Sequence, residues 1–420
     1  MNIRRTSPAA RADAPAAPLP EARHARRTES GTALQLVSET AAAIIDPDDE
    51  DAAAVAIYRQ KAVSENTRST YATGWRRFES WCIQKKRTAL PSSPDTVARF
   101  VAWLARQVDD SGEPGVKAST ITTWCAAIGA VHAEHGYTNP AADPAVRETL
   151  RGIRRHRTEA GETEDKAAPM MTADLDRFVT AIDDQARTWR QQVTARRDIA
   201  LLVLAFAGAR RRIEAVTLQV RDLTVESDAD GYRIRIALRG TKTRRDAVTY
   251  FILTRGENPK LCPCCALLRW LTLLADYDHA VASTGADAGV VAVHKRLTLE
   301  RDLDPNAHYC DRALPRFPTV KVPIFRALGR AGVPARLEPL TGQALGRMVH
   351  ARARAAGYSR EQSAAFRGHS MRAGATTQAL DNGASYREVM NMTGHQQIDT
   401  VRKYDRAPLH RANATRKLGL

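Results

Sequence analysis

Residues 368–406 read GHSMRAGATTQALDNGASYREVMNMTGHQQIDTVRKYDR. His369 and Arg372 are three apart, so a helix sets them on one face. His395 stands in a Gly-His turn, and Tyr404 follows nine residues later among Arg402, Lys403 and Arg406. Around this stretch, residues 341–420 hold 13 Lys and Arg against 5 Asp and Glu, which is half of the chain's net charge of +16. A pI near 9.9 points to an anionic polymer as partner. Charge alone cannot decide this, since Arg and Ala abundance also follows genome composition.

Farther upstream, FAGARRRIEAVTL (206–218) sets Arg211 and Glu214 three apart, and RGTKT (239–243) carries Lys242 near a hairpin turn. Between them YRIRIALRG (232–240) alternates strictly: Tyr232, Ile234, Ile236 and Leu238 on one face, Arg233, Arg235 and Arg239 on the other. AVTYFIL (247–253) reads as the returning strand. Elsewhere the spacing predicts helices. Ser64 begins one with Tyr71, Trp75, Phe78 and Cys82, and Ser93-Pro94 a second with Val97, Phe100, Val101 and Leu104. A third runs from Ser119 to Val131, a fourth from Pro144 to Ile153, and further ones cover 172–182 and 197–207. Polar faces of the first four carry Arg76, Arg77, Lys85, Lys86, Arg87, Arg154 and Arg155.

At 420 residues the chain is long enough for two or three domains, and 43% hydrophobic residues suffice for real cores. Residues 1–54 are expected to be a disordered tail, 55–158 a helical unit, 159–169 a polar linker ending in Pro169, and 170–420 a second, mainly helical unit with a small antiparallel sheet. The stretch 280–320 shows no clear periodicity. The longest apolar run, Ile199 to Ala209, is too short to span a membrane, and no secretory signal is visible. Six cysteines without regular spacing suit a reducing cytoplasm.

Chemically, the set suits phosphoryl transfer without a metal. Two guanidiniums can clamp the non-bridging oxygens of a phosphodiester under attack. Tyrosine can attack and store the bond energy as a phosphotyrosine ester, a histidine can move its proton, and a lysine can protonate the departing sugar oxygen. No Mg²⁺ or nucleotide is required, and no cofactor is expected. Cys262, Cys264 and Cys265 with His308 and Cys310 could in principle hold Zn²⁺, but their spacing matches no known ribbon or finger, so no metal is assigned.

The joint order Arg211, Lys242, His369-x-x-Arg372, His395, Tyr404 resembles that of the tyrosine recombinases, or phage-type integrases. The likeness runs from Ser64 to the C-terminus and looks nearest the Cre-like branch, on the helix start SENT, the ending SWC (80–82), the RGTKT hairpin and GHS-x-R-x-G. It implies a helical core-binding domain and a catalytic domain clamping duplex DNA at a specific recombination site, a homotetramer on two sites, and a Holliday junction intermediate. It also implies roles: Arg211 and Arg372 as phosphate clamps, Glu214 orienting Arg211, Lys242 as general acid, His369 as proton shuttle, His395 beside them and Tyr404 as nucleophile. Arg210 and Arg212 are adjacent alternatives, but only Arg211 leaves Glu214 three residues on; Tyr386 is a rival tyrosine, and Lys242 could be a plain phosphate contact. A cytoplasmic, nucleoid-associated protein is expected. A type IB topoisomerase would use nearly the same chemistry without pairing two sites, and a DNA binder without catalysis would have no use for the nucleophile and proton shuttle.

Overall fold

The structure is a computed structural model that describes residues 50–405 except 111, 113, 162–166, 229–230, 242–243 and 335–336. The chain divides into two compact units, up to residue 164 and from residue 165 onward. The reading of 1–49 as a tail therefore lies outside the described residues. Residues 50–54, read as its end, instead open helix α1 (Glu50–Ala62).

The first unit is helical. In α2 (Glu65–Lys85), Ser64 caps by accepting the Thr67 amide at 3.2 Å, and Glu65 complements the positive helix end. In α3 (Pro94–Ala105) Ser93 does the same for Thr96, with Pro94 in the first turn. These two helices, α4 (Ala118–Glu134) and α5 (Pro144–Glu159) bury Trp75, Phe78, Trp81, Val97, Phe100, Ile121, Ile128 and Leu150 in one core. Gly74 permits a close crossing of α2 and α4: a Cβ there would lie 2.7 Å from the Trp124 ring. Two buried polar groups tie the loops. The His132 ring accepts from the Ser92 amide at Nε2 (2.8 Å) and donates from Nδ1 to Ile128 O (2.8 Å), while Arg157 donates to Val116 O and Ala105 O.

The second unit starts with α6 (Thr172–Asp184) and α7 (Trp189–Ala207), followed by the short α8 (Arg212–Val216). Then come strands β1 (Leu223–Asp228), β2 (Gly231–Thr241) and β3 (Arg244–Thr254), antiparallel in the order β1-β2-β3. Ile236 pairs with Leu223 on one side and Phe251 on the other. The alternation in β2 holds: Ile234, Ile236 and Leu238 are buried. The edge strand β1 was not anticipated, because only Leu223 and Val225 of its six residues are apolar.

Helix α9 (Pro263–Thr284) is the apolar spine, burying Leu267, Leu268, Trp270, Leu271 and Leu274. The 280–320 stretch needs correction, since α9 continues to Thr284 and α10 (Ala286–Leu299) packs beside it. Its turn Gly285 has φ +103, and a Cβ on Gly289 would meet the Tyr277 ring at 2.6 Å. Only residues beyond 300 are irregular, up to α11 (Gly342–Ala355). The chain closes with α12 (Arg360–Ala365), α13 (Ser370–Asp381), α14 (Tyr386–Thr393) and α15 (Ile398–Arg402). Among the described residues no helix is long and apolar enough to cross a membrane.

Candidate active site

Tight backbone packing sets the site. Met170 donates its amide to Ser370 O at 3.0 Å, crossing the start of α13 so closely that a Cβ on Gly374 would lie 1.6 Å from the Met170 carbonyl oxygen. At the end of α7, Gly208 leaves room for the Phe251 ring, which a Cβ would approach to 2.6 Å. Ala209 then turns the chain with φ +49, a region costly for a residue with a Cβ. Its carbonyl is thereby aimed at Arg372, whose Nη1 donates to Ala209 O (2.7 Å) and Thr393 O (2.9 Å). Arg372 is 1% exposed, so its cation is fixed by the fold before any ligand arrives.

The three consecutive arginines take three directions. Arg210 is buried, donates to Gly208 O and Met392 O, and lies over the Phe251 ring. Arg212 is exposed and runs beside Gly368. Arg211 caps α8: its amide donates to Glu214 Oε2 (3.1 Å) and its Nη1 to Oε1 (2.7 Å). Glu214 is nearly buried, so this contact holds the half-buried Arg211 in place. Burial first, then the neighbouring Arg211 cation, brings Arg372 down to about 10, still charged at neutral pH. Burial likewise lowers Arg210 to about 10.

The two histidines are kept neutral. Arg372 Nη2 donates to His395 Nε2 at 2.7 Å, and His395 Nδ1 meets Thr393 Oγ1 at 2.9 Å. Burial, then Arg372 and Arg211, push His395 down to about 4. His369 opens to solvent on one side, yet desolvation and the cations of Arg372, Arg211 and Arg212 also lower it. Its Nε2 lies 2.9 Å from the Tyr404 hydroxyl, and the Tyr404 ring stacks on His395 at 6.0 Å. Thr377 Oγ1 holds the Tyr404 carbonyl at 3.2 Å. Tyr386, the rival, donates instead to Asp405.

Thus Arg211, Glu214, His369, Arg372, His395 and Tyr404 come together. Arg211, Glu214 and His395 also line an open groove of about 700 Å³ with Tyr250, Tyr386 and Arg387. Lys242 lies outside the described residues. The arginines of β2 are already engaged: Arg233 and Arg235 pair with Glu226, and Arg239 with Asp222. In the first unit Arg76, Arg77, Lys85, Lys86, Arg154 and Arg155 are exposed, with Arg77 over the Trp103 ring and Arg155 paired to Glu159. Arg210 and Thr393 were not read as site residues. The Arg210–Arg212 run announced cations, but the turn at Ala209 decides which one braces the backbone and which pairs with Glu214.

Such a cluster combines a fixed oxyanion clamp, a neutral base against a hydroxyl, and an open face for an extended anion. Residues 326–409 match the phage integrase family model. An integrase/recombinase xerD homolog of Selenomonas ruminantium is 25% identical over 351 residues, 82% of this chain and 82% of that protein. The recombinase cre of Escherichia phage P1 is 23% identical over 355 residues, 83% of this chain and 85% of that protein. Among solved structures, the XerH site-specific recombinase bound to palindromic difH substrate, a post-cleavage complex, superposes with TM-score 0.50 at 15% identity, covering 87% of this chain and 84% of that one.

Proposed function

We propose, from the premise that this chain is a tyrosine recombinase of the phage integrase family, that its site-specific recombination proceeds through a 3′-phosphotyrosyl link at Tyr404. The observation that carries this reading is the 2.9 Å approach of the Tyr404 hydroxyl to Nε2 of a neutral His369. The phenolic oxygen attacks the phosphorus of a DNA phosphodiester, and His369 takes its proton. Arg211 and Arg372 bind the non-bridging oxygens as charge builds there, a contribution worth about 3–4 kcal/mol for a well-placed donor. The 3′ side of the strand stays on tyrosine and the 5′ oxygen leaves, protonated by Lys242. Because the ester retains the bond energy, a 5′-hydroxyl from a second duplex reverses the step with no nucleotide or metal consumed.

Glu214 positions Arg211, and His395 positions Arg372. Residues 55–158 serve as the core-binding domain, with Arg76, Arg77, Lys85, Lys86, Arg154 and Arg155 on the DNA backbone, and 170–420 as the catalytic domain. Arg233, Arg235 and Arg239 reach phosphates by exchanging their carboxylate partners. The active assembly is a homotetramer on two copies of a specific duplex site, passing through a Holliday junction.

The test is covalent capture. Protein incubated in EDTA with fragmented DNA from its source is denatured in detergent, and the attached DNA is sequenced. DNA on the wild type and none on Tyr404→Phe is expected, with the attached ends defining the site. Equal attachment to the variant would overturn the assignment.

A further inference from the structure

We propose that Cys262, Cys265, His308 and Cys310 form a structural Zn²⁺ site in the second unit. Their Sγ atoms and a His308 ring nitrogen all lie within 4.8 Å of one another. Two of these separations fit a common ion: Cys265 Sγ to His308 Nδ1 is 3.3 Å and Cys310 Sγ to His308 Nδ1 is 3.8 Å. Ligands at the usual Zn–S and Zn–N lengths of a tetrahedron stand about 3.5–3.8 Å apart.

The fold builds this arrangement from two segments far apart in sequence. Cys262 caps α9 and Cys265 ends its first turn, so the Cys-x-x-Cys pair shares one side of a positive helix end that favours thiolates. His308 and Cys310 come from the irregular chain after α10. Both helix-end sulfurs already accept backbone amides, Cys262 from Gly256 (3.3 Å) and Cys265 from Tyr309 (3.2 Å), as ligating thiolates do. Cys264 takes no part, since its Sγ turns to Leu253 O at 3.4 Å.

A second observation points into the same place. The Tyr232 hydroxyl is buried with no hydrogen-bond partner among the described residues and lies within electrostatic range of Cys264, Cys310, Cys265 and Cys262. A buried phenol is rarely left unpaired, and a metal-bound thiolate would accept its proton donor. Three thiolates and an imidazole favour a borderline-soft ion over Mg²⁺ or Ca²⁺, and four protein ligands leave no open position for chemistry. Binding forms three S–Zn bonds and releases the three thiol protons to solvent. The ion would anchor residues 308–310, which have no secondary structure to hold them, to the start of α9. The sequence names these four together with Cys264, but the spacing of CPCC and HYC assigns no metal, because the closeness is made by the fold.

The full chain, purified without chelator and dialysed against metal-free buffer, is assayed for zinc by plasma mass spectrometry. Roughly one zinc per chain is expected in the wild type and in Cys264→Ala, and a loss of at least tenfold in occupancy in Cys310→Ser and His308→Ala. Cobalt refilling of the wild type, stripped of metal, should give the absorption bands of tetrahedral thiolate coordination. These hold even if a ligand variant folds poorly. Wild type carrying no zinc and giving no thiolate-to-cobalt band would overturn the proposal, as would zinc lost from Cys264→Ala but kept by Cys310→Ser.

Discussion

Nε2 of His395 takes a hydrogen bond from Arg372 across 2.7 Å. A guanidinium only donates, so Nε2 is the bare nitrogen and Nδ1 carries the proton. That proton goes to Thr393 Oγ1, whose own hydroxyl donates to Val389 O. The chain of donors has one direction, and protonating His395 would set two donors against each other.

This makes acid stability sensitive to His395. Its folded pKa is about 4 against an ordinary 6.5. The unfolded chain therefore binds more protons in that window, and stability falls as pH drops from about 6.5 toward about 4. His369 adds to the same trend, being lowered too. Urea unfolding at pH 7.5 and pH 5 should show the loss, and His395→Gln should flatten it. An unchanged pH slope in the variant would remove His395 as the cause.

Cleavage should depend on pH through His369. Because its protonated form is disfavoured by desolvation and by Arg372, Arg211 and Arg212, the acid inflection of the rate should lie below the ordinary histidine value of 6.5. His369→Ala should lose about 10²–10⁴-fold in single-turnover cleavage and lose the pH inflection with it.

The two clamp arginines should separate stability from catalysis. Arg372→Ala leaves the buried Ala209 O, Thr393 O and His395 Nε2 without their donor, at about 1–3 kcal/mol for each acceptor left unsatisfied, and cleavage is lost with it. In Arg211→Ala the nearly buried Glu214 keeps the residue-211 amide and Arg210 at 3.9 Å, so the melting temperature should shift by only a few degrees, about 1 kcal/mol, while cleavage collapses. Thermal melts beside suicide-substrate cleavage distinguish the two.

Gly374→Ala should destabilise the second unit strongly, since a methyl would overlap the Met170 carbonyl oxygen. The loss should exceed about 3 kcal/mol, the range of severe overpacking. Gly383→Ala is the contrast: it has φ +89 but open space around it, and should cost about 1 kcal/mol. Calorimetry of both variants checks the ranking.

Helices capped by Ser or opened by Pro, such as α2 and α3, were legible because local chemistry sets their starts. The alternation of β2 was equally plain. What escaped was non-local. The edge strand β1 is held by pairing with β2, α10 by packing on α9, and the direction of Arg210 by a turn at Ala209. In the candidate site, residue types and order could be read from the sequence, whereas the bracing by Arg210 and Thr393 and the closeness of Cys262, Cys265, His308 and Cys310 emerge only when distant segments meet.

The central claim is that Tyr404 itself becomes esterified to DNA. A nicked suicide duplex carrying the captured site should trap the wild type, and nuclease trimming followed by peptide mass spectrometry should locate the remaining nucleotide. The adduct is predicted on the peptide containing Tyr404 and absent from the one containing Tyr386. An adduct on Tyr386, or cleavage surviving in Tyr404→Phe, would contradict the account.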